Sequence, residues 1–184
     1  MIYIVAGIAK SGKSMVAQTL LKEHHLNIIS TDLVMMMLHH AHGQAIVDIH
    51  KSDVTVSTHL KPYLQGIIKT LVSFPKDYVI EGVHIQPDFA YALSQLYPNN
   101  IKTIFLGYKN QNPHEKAKEL KRYEETMDNP WFNQMNEDQL IDLTTYMIRE
   151  SEKLYHACQI YQQPYVEISN IQTQMPDIID QLLK

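Results

Sequence analysis

Five short apolar runs punctuate the chain, at residues 2–6, 26–30, 78–81, 101–107 and 165–168. Several are continuous rather than alternating, which is the pattern of strands covered on both faces. Between them, apolar positions recur at spacings of three and four. That period predicts helices over residues 13–25, 32–42, 58–74, 88–96, 113–126, 137–162 and 176–183. Strand then helix, repeated, predicts an α/β domain built on a parallel sheet. Two helix starts carry explicit caps. Asn112 precedes Pro113 with Glu115 following, and Asn136 precedes Glu137, Asp138 and Gln139. In the long helix that Asn136 opens, Leu140, Thr144, Met147, Ser151, Leu154, Cys158 and Tyr161 form one buried stripe.

At 184 residues the chain is expected to form one domain, spanning 1–184. Hydrophobic residues make up 45% and charged residues 20%, a globular balance with a sizeable core. The net charge of −4 gives no reason to expect nucleic acid or an anionic membrane as partner. The chain starts directly on a strand, and no apolar run reaches the roughly 18 residues of a membrane span, so the cytoplasm is the expected location. Cys158 is the single cysteine, which excludes an intramolecular disulfide and a cysteine zinc site; it is expected in the core.

The first strand runs into GIAKSGKS, residues 7–14, a match to G-x-x-x-x-G-K-[ST]. The glycines Gly7 and Gly12 let backbone N–H groups wrap a phosphate, and the following helix adds its positive N-terminal end. Gly7, Ala9, Lys10, Ser11, Gly12, Lys13, Ser14 and Met15 are the expected nucleotide contacts. Lys13 would reach the β- and γ-phosphates and the Ser14 hydroxyl would hold Mg²⁺. Lys10 adds a charge inside the loop, or is a solvated lysine.

Other polar groups sit at neighbouring strand ends, where ligands of open parallel sheets gather. Ser30-Thr31-Asp32 ends the second strand; Glu81-Gly82 ends the third, with His84 just beyond. Asp32 is expected to orient or deprotonate an acceptor, or to hold a metal-bound water; either it or Thr31 could instead be a helix cap. Glu81 closes an apolar strand and needs a partner, whether metal water, a substrate hydroxyl or a salt bridge. Gly82 allows close approach, and His84 is placed for acceptor contact. His39, His40 and His42 point in different directions on a helix and make no metal site. Met35, Met36 and Met37 are expected in the core, with a possible role in lining an acceptor pocket.

Together, GIAKSGKS, the STD after the second strand and the IEG after the third resemble the P-loop small-molecule kinases of the nucleoside monophosphate kinase superfamily. The stretch VIEGVHIQP, behind a TD helix start, is similar to 2-phosphoglycerate kinase type sequences. Pro130-Trp131-Phe132, ahead of the long helix with Arg149 and Ser151, resembles the lid-and-helix segment of that superfamily. The resemblance implies a three-layer α/β fold with a five-stranded parallel sheet in the order 2-3-1-4-5. It also implies ATP and Mg²⁺ as donor and cofactor, an acceptor region between the second helix and third strand, and a helical lid at 109–136. Trp131 would either cover the site or anchor a loop.

The chain departs from the superfamily in its arginines. Lid arginines commonly stabilise the transferring phosphoryl group there, and only Arg122 and Arg149 are present here. Both are assigned that role, since planar bidentate donors suit phosphoryl charge. The nucleotide base would pack near residues 169–173. Residues 44–59, with Asp48, His50, Lys51, Asp53, Ser57 and His59, would face the acceptor and contain no arginine. That favours an unphosphorylated hydroxyl compound or a small acid over a phosphorylated acceptor. The expected activity is an ATP-dependent phosphotransferase acting on a small molecule; a non-catalytic nucleotide switch is the competing class. Oligomeric state and ATP versus GTP preference are not legible.

Overall fold

The structure, a computed structural model, describes residues 1–123 and 132–184. Five strands, β1 (Ile2–Gly7), β2 (Asn27–Ser30), β3 (Tyr78–Gly82), β4 (Ile101–Gly107) and β5 (Tyr165–Glu167), form one parallel sheet in the order β2-β3-β1-β4-β5. The helices are α1 (Lys13–His24), α2 (Thr31–His42), α3 (Asp53–Val72), α4 (Pro87–Leu96), α5 (Pro113–Tyr123), α6 (Glu137–Ile160) and α7 (Ile171–Leu183). Fold class and strand order are those expected.

Alternation along β1 makes two cores. Ile2, Ile4 and Ala6 face α2, α3, α4 and α6, packing with Leu38, Leu60, Leu64, Ile68, Phe89 and Leu154. Tyr3 and Val5 face α1 and α7, packing with Val16, Leu20, Ile178 and Leu182. A smaller cluster of Ala117, Leu120, Phe132 and Leu140 joins α5 to the start of α6. No helix among the described residues is long and apolar enough to cross a membrane.

Several helix boundaries differ from the periodicity reading, each for a local reason. α3 starts at Asp53 instead of residue 58, because Ser52 accepts the Thr55 N–H and opens the helix early. α7 starts at Ile171, capped by the Asn170 side chain, and Pro176 lies inside it rather than at its first turn. Neither Thr31 nor Asp32 caps α2: Ser30 does, accepting the Asp32 N–H, which leaves the Asp32 carboxylate uncommitted to the helix. Met37 is 56% exposed rather than core, and Tyr161 falls off the stripe of α6, whose other six residues are buried. Asn112 caps α5 and Asn136 forms a capping box with Gln139, as their spacing predicts. The helix expected to reach residue 126, much of the expected lid, and Pro130 and Trp131 extend into residues outside those described.

Leu64 is fully buried in the larger core. Leu64→Ala should cost about 2–5 kcal/mol in urea denaturation; a loss under about 1 kcal/mol would show that α3 packs loosely on the sheet.

Candidate active site

The site lies at the carboxyl ends of β1, β2 and β3, and the register of the sheet builds it. Parallel pairing sets Glu81 beside both Val5 and Ser30. Val5 faces the α1 side, so Glu81 projects there too, and its Oε2 accepts the Ser14 hydroxyl at 3.1 Å. Gly82, the next residue, faces α2. A Cβ there would lie inside the van der Waals surface of the Thr31 hydroxyl, and its φ of 149° also suits glycine alone. At the end of β1, Gly7 is likewise pressed against the Leu106 carbonyl. The phosphate loop therefore departs from the sheet at a position no side chain can occupy.

Within the loop, the Lys13 ammonium is buried, with 6% exposure, and donates to the Ile8 carbonyl at 2.6 Å. Burial lowers its pKa to about 8; Glu81, Asp32 and Asp53 pull the other way and only partly offset it. The Ser11 hydroxyl is buried without a hydrogen-bond partner among the described residues, and Lys10 holds a left-handed φ of 57°.

Beside the loop stands an acidic wall. His84, expected as an accessible acceptor contact, is 3% exposed, with Nδ1 at 3.0 Å from the Thr31 hydroxyl and 3.4 Å from Asp32 Oδ1. Burial lowers the His84 pKa despite Asp32 and Asp53, which favours the neutral imidazole; Nδ1 is hydrogen-bonded to the Thr31 hydroxyl, with the Asp32 carboxylate beside it. The Asp32 side chain itself is 65% exposed. Asp53, at the first turn of α3, is accessible at the rim, yet neighbouring chain crowds its carboxyl. Desolvation raises its pKa, with Asp32 and Glu150 adding to the rise and His84 and Lys13 opposing it.

The structure thus brings together Lys13, Ser14, Asp32, Glu81, Gly82 and His84. Arg122 and Arg149 are different: both are exposed, and no hydrogen bond or ion pair ties either to the loop among the described residues. Met15 is 42% exposed at the start of α1. The sequence reading named Asp53 only as one of several polar residues in its segment; the Ser52 cap that swings it into place was the available signal. Lys116 and Tyr108, which touch the loop from α5 and from the end of β4, were not singled out at all. Lys116 falls on the apolar stripe with Ala117 and Leu120, a position where a charged residue is out of pattern. Cys158 is buried, its thiol pushed up to about 12, and belongs to the core. Ser14 and Glu81 present a hydroxyl and a carboxylate side by side, an oxygen donor pair that suits Mg²⁺. No group of three or more His, Cys, Asp or Glu arranged for a metal occurs among the described residues.

No family model and no curated protein sequence matches the chain. Solved structures do match in fold. Shikimate kinase from Bacteroides thetaiotaomicron superposes with TM-score 0.59 at 14% identity, covering 100% of this chain and 99% of that one. Deoxyadenosine kinase from M. mycoides gives TM-score 0.54 at 13% identity, over 100% and 99%. A gluconokinase from Sinorhizobium meliloti gives 0.53 at 16%, over 98% and 88%. The likeness is one of fold: the chain shares the parallel α/β architecture of these three kinase structures.

Lys13 gives a direct test of the electrostatics. Its folded pKa of about 8 lies below the ordinary 10.5, so keeping it charged costs the folded state below pH 8, and the cost fades between pH 8 and 10.5. Lys13→Met should therefore be more stable than the wild type at pH 7 by roughly 1–3 kcal/mol, with the gap narrowing across that window in urea titrations. A gap constant with pH would contradict burial as the cause.

Proposed function

We propose that the chain is a Mg²⁺-dependent kinase that transfers the terminal phosphoryl group of ATP to a hydroxyl of a small acceptor. The observation that carries this reading is the buried Lys13 ammonium with Ser14–Glu81 on one side and the exposed Asp32 carboxylate, beside His84, on the other. A pure nucleotide binder needs the first two elements and has no use for the third.

In this reading the loop and Lys13 hold the β- and γ-phosphates, and Ser14 and Glu81 hold Mg²⁺, directly or through water. The bound metal would neutralise phosphate charge. Asp32 accepts a hydrogen bond from the acceptor hydroxyl and takes its proton as that oxygen bonds to the γ-phosphorus. The bond from the γ-phosphorus to the β–γ bridging oxygen breaks, and ADP leaves. His84, hydrogen-bonded to Thr31, lies 3.4 Å from Asp32 through the same Nδ1. Arg122 on α5 and Arg149 on α6 would supply guanidinium groups to the transferring phosphoryl group.

The cleft also selects the acceptor. Asp32 and Asp53 lie near enough to act on each other and on His84, whose burial favours the neutral imidazole. Two carboxylates repel a carboxylate or phosphate and favour hydroxyl or amine groups. The acceptor is therefore a neutral or amine-bearing hydroxyl compound, and the small acid left open by the sequence is disfavoured.

Labelled ATP offered with a mixed pool should transfer label to neutral polyols, nucleosides or amino alcohols, and not to sugar acids or monophosphates. Lys13→Ala should lower transfer at least about a hundredfold, and Asp32→Asn roughly 10²–10⁴-fold with ATP affinity retained. Near-full transfer by either variant would sink the mechanism; label entering only acidic acceptors would sink the selectivity.

A further inference from the structure

Two side chains that play no part in the mechanism above hold the outer wall of the phosphate loop. Tyr108 is fully buried just beyond β4; its N–H donates to the Ser151 hydroxyl at 2.7 Å and its own hydroxyl donates to the Ala9 carbonyl at 2.6 Å. Lys116, on α5 and 2% exposed, brings its ammonium to 3.4 Å from the next carbonyl along, that of Lys10. The same ammonium lies 4.4 Å from the Tyr108 ring centroid and 3.2 Å from both Glu119 carboxylate oxygens.

An apolar side chain would fill the place of Lys116 on the α5 stripe without the cost of taking a charge out of water. The contact it gains in return falls on the one loop residue outside glycine with a left-handed backbone. The peptide plane explains what that contact achieves. A trans peptide carries its C=O and the following N–H on opposite edges. Holding the Ala9 and Lys10 carbonyls from outside turns the N–H groups of Lys10 and Ser11 the other way. The Ser11 N–H indeed reaches the Ile8 carbonyl at 3.3 Å, the oxygen that also accepts from Lys13. The Ser11 N–H and the Lys13 ammonium thus meet at one oxygen of the loop.

We propose that Tyr108 and Lys116 are positioning residues for the donor phosphates: a two-point clamp on consecutive carbonyls that aims the loop's N–H groups at the phosphate. The clamp rests on the reading of the loop as the ATP site. It also links α5 to the loop, so motion of α5 is transmitted to the phosphate donors.

Calorimetric binding of Mg·ATP to the full chain, beside thermal unfolding, tests the clamp. Tyr108→Phe keeps the ring and loses only the hydroxyl; it should weaken Mg·ATP binding about tenfold. Lys116→Met should weaken it several-fold while melting no lower than the wild type, because a buried charge is replaced by an apolar chain. Both should leave the acceptor KM unchanged. Wild-type Mg·ATP affinity in both variants overturns the proposal, and so does a fall in melting temperature with no change in affinity. If Lys116→Met fails to fold, Tyr108→Phe alone decides. A wild type that binds no ATP removes the donor reading itself, a result distinct from failure of the clamp.

Discussion

One buried charge organises the site. The Lys13 ammonium sits out of water with a single backbone carbonyl in hydrogen-bond contact, and three carboxylates near enough to act on it but too few to restore its ordinary pKa. An isolated buried cation is costly, so the surrounding elements must either compensate it or leave it ready for an anion. The second is what is built. Glu81 accepts from Ser14, Asp32 lies exposed beside His84, and Asp53 stands at the rim. Among the described residues no ion pair joins a carboxylate to the ammonium, and the Ser11 N–H shares the same Ile8 carbonyl. In the proposed reading a triphosphate would complete the charge balance that the protein alone leaves open.

The sheet is what makes such an arrangement reproducible. Parallel pairing fixes Glu81 beside Val5 and thereby on the α1 face, while Gly82 faces α2. A slip of one residue would exchange the two faces and bury a carboxylate against Thr31. Folds of this kind therefore tolerate wide change in the apolar runs. That tolerance is consistent with a chain that shares its architecture with shikimate kinase and gluconokinase structures at 14% and 16% identity.

Much of this was legible in the sequence. The strands showed as apolar runs, the phosphate loop as a motif in its strand–loop–helix frame, and α5 and α6 by their asparagine caps. What was hidden depended on contacts distant in sequence or on competing caps. Ser30, Thr31 and Asp32 are all competent N-caps, and only the structure shows that Ser30 takes the role and frees Asp32. The first turn of α3, Asp53 to Ser57, alternates polar residues with Val54 and Val56, so the helical period is legible only from residue 58 and Asp53 reads as one polar residue among several. His84 looked like a surface ligand because nothing local reports that Thr31 covers it. The arginines were chosen from chemical need, yet both are exposed on their helices. Lys116, 2% exposed beside the loop, was lost in a stretch that reads as solvated charge.

The claim on which the account turns is that Lys13 waits, destabilised, for an anionic partner. It is tested most directly by NMR titration of the Lys13 ε-carbon in protein carrying ¹³C-labelled lysine, with Lys13→Met identifying the resonance. Without nucleotide the titration should centre near 8. With saturating Mg·ATP it should move up by at least about two units, beyond the ordinary lysine value, as phosphate oxygens take up the charge. An ordinary lysine titration in the free protein, or one that Mg·ATP leaves where it was, would contradict the account.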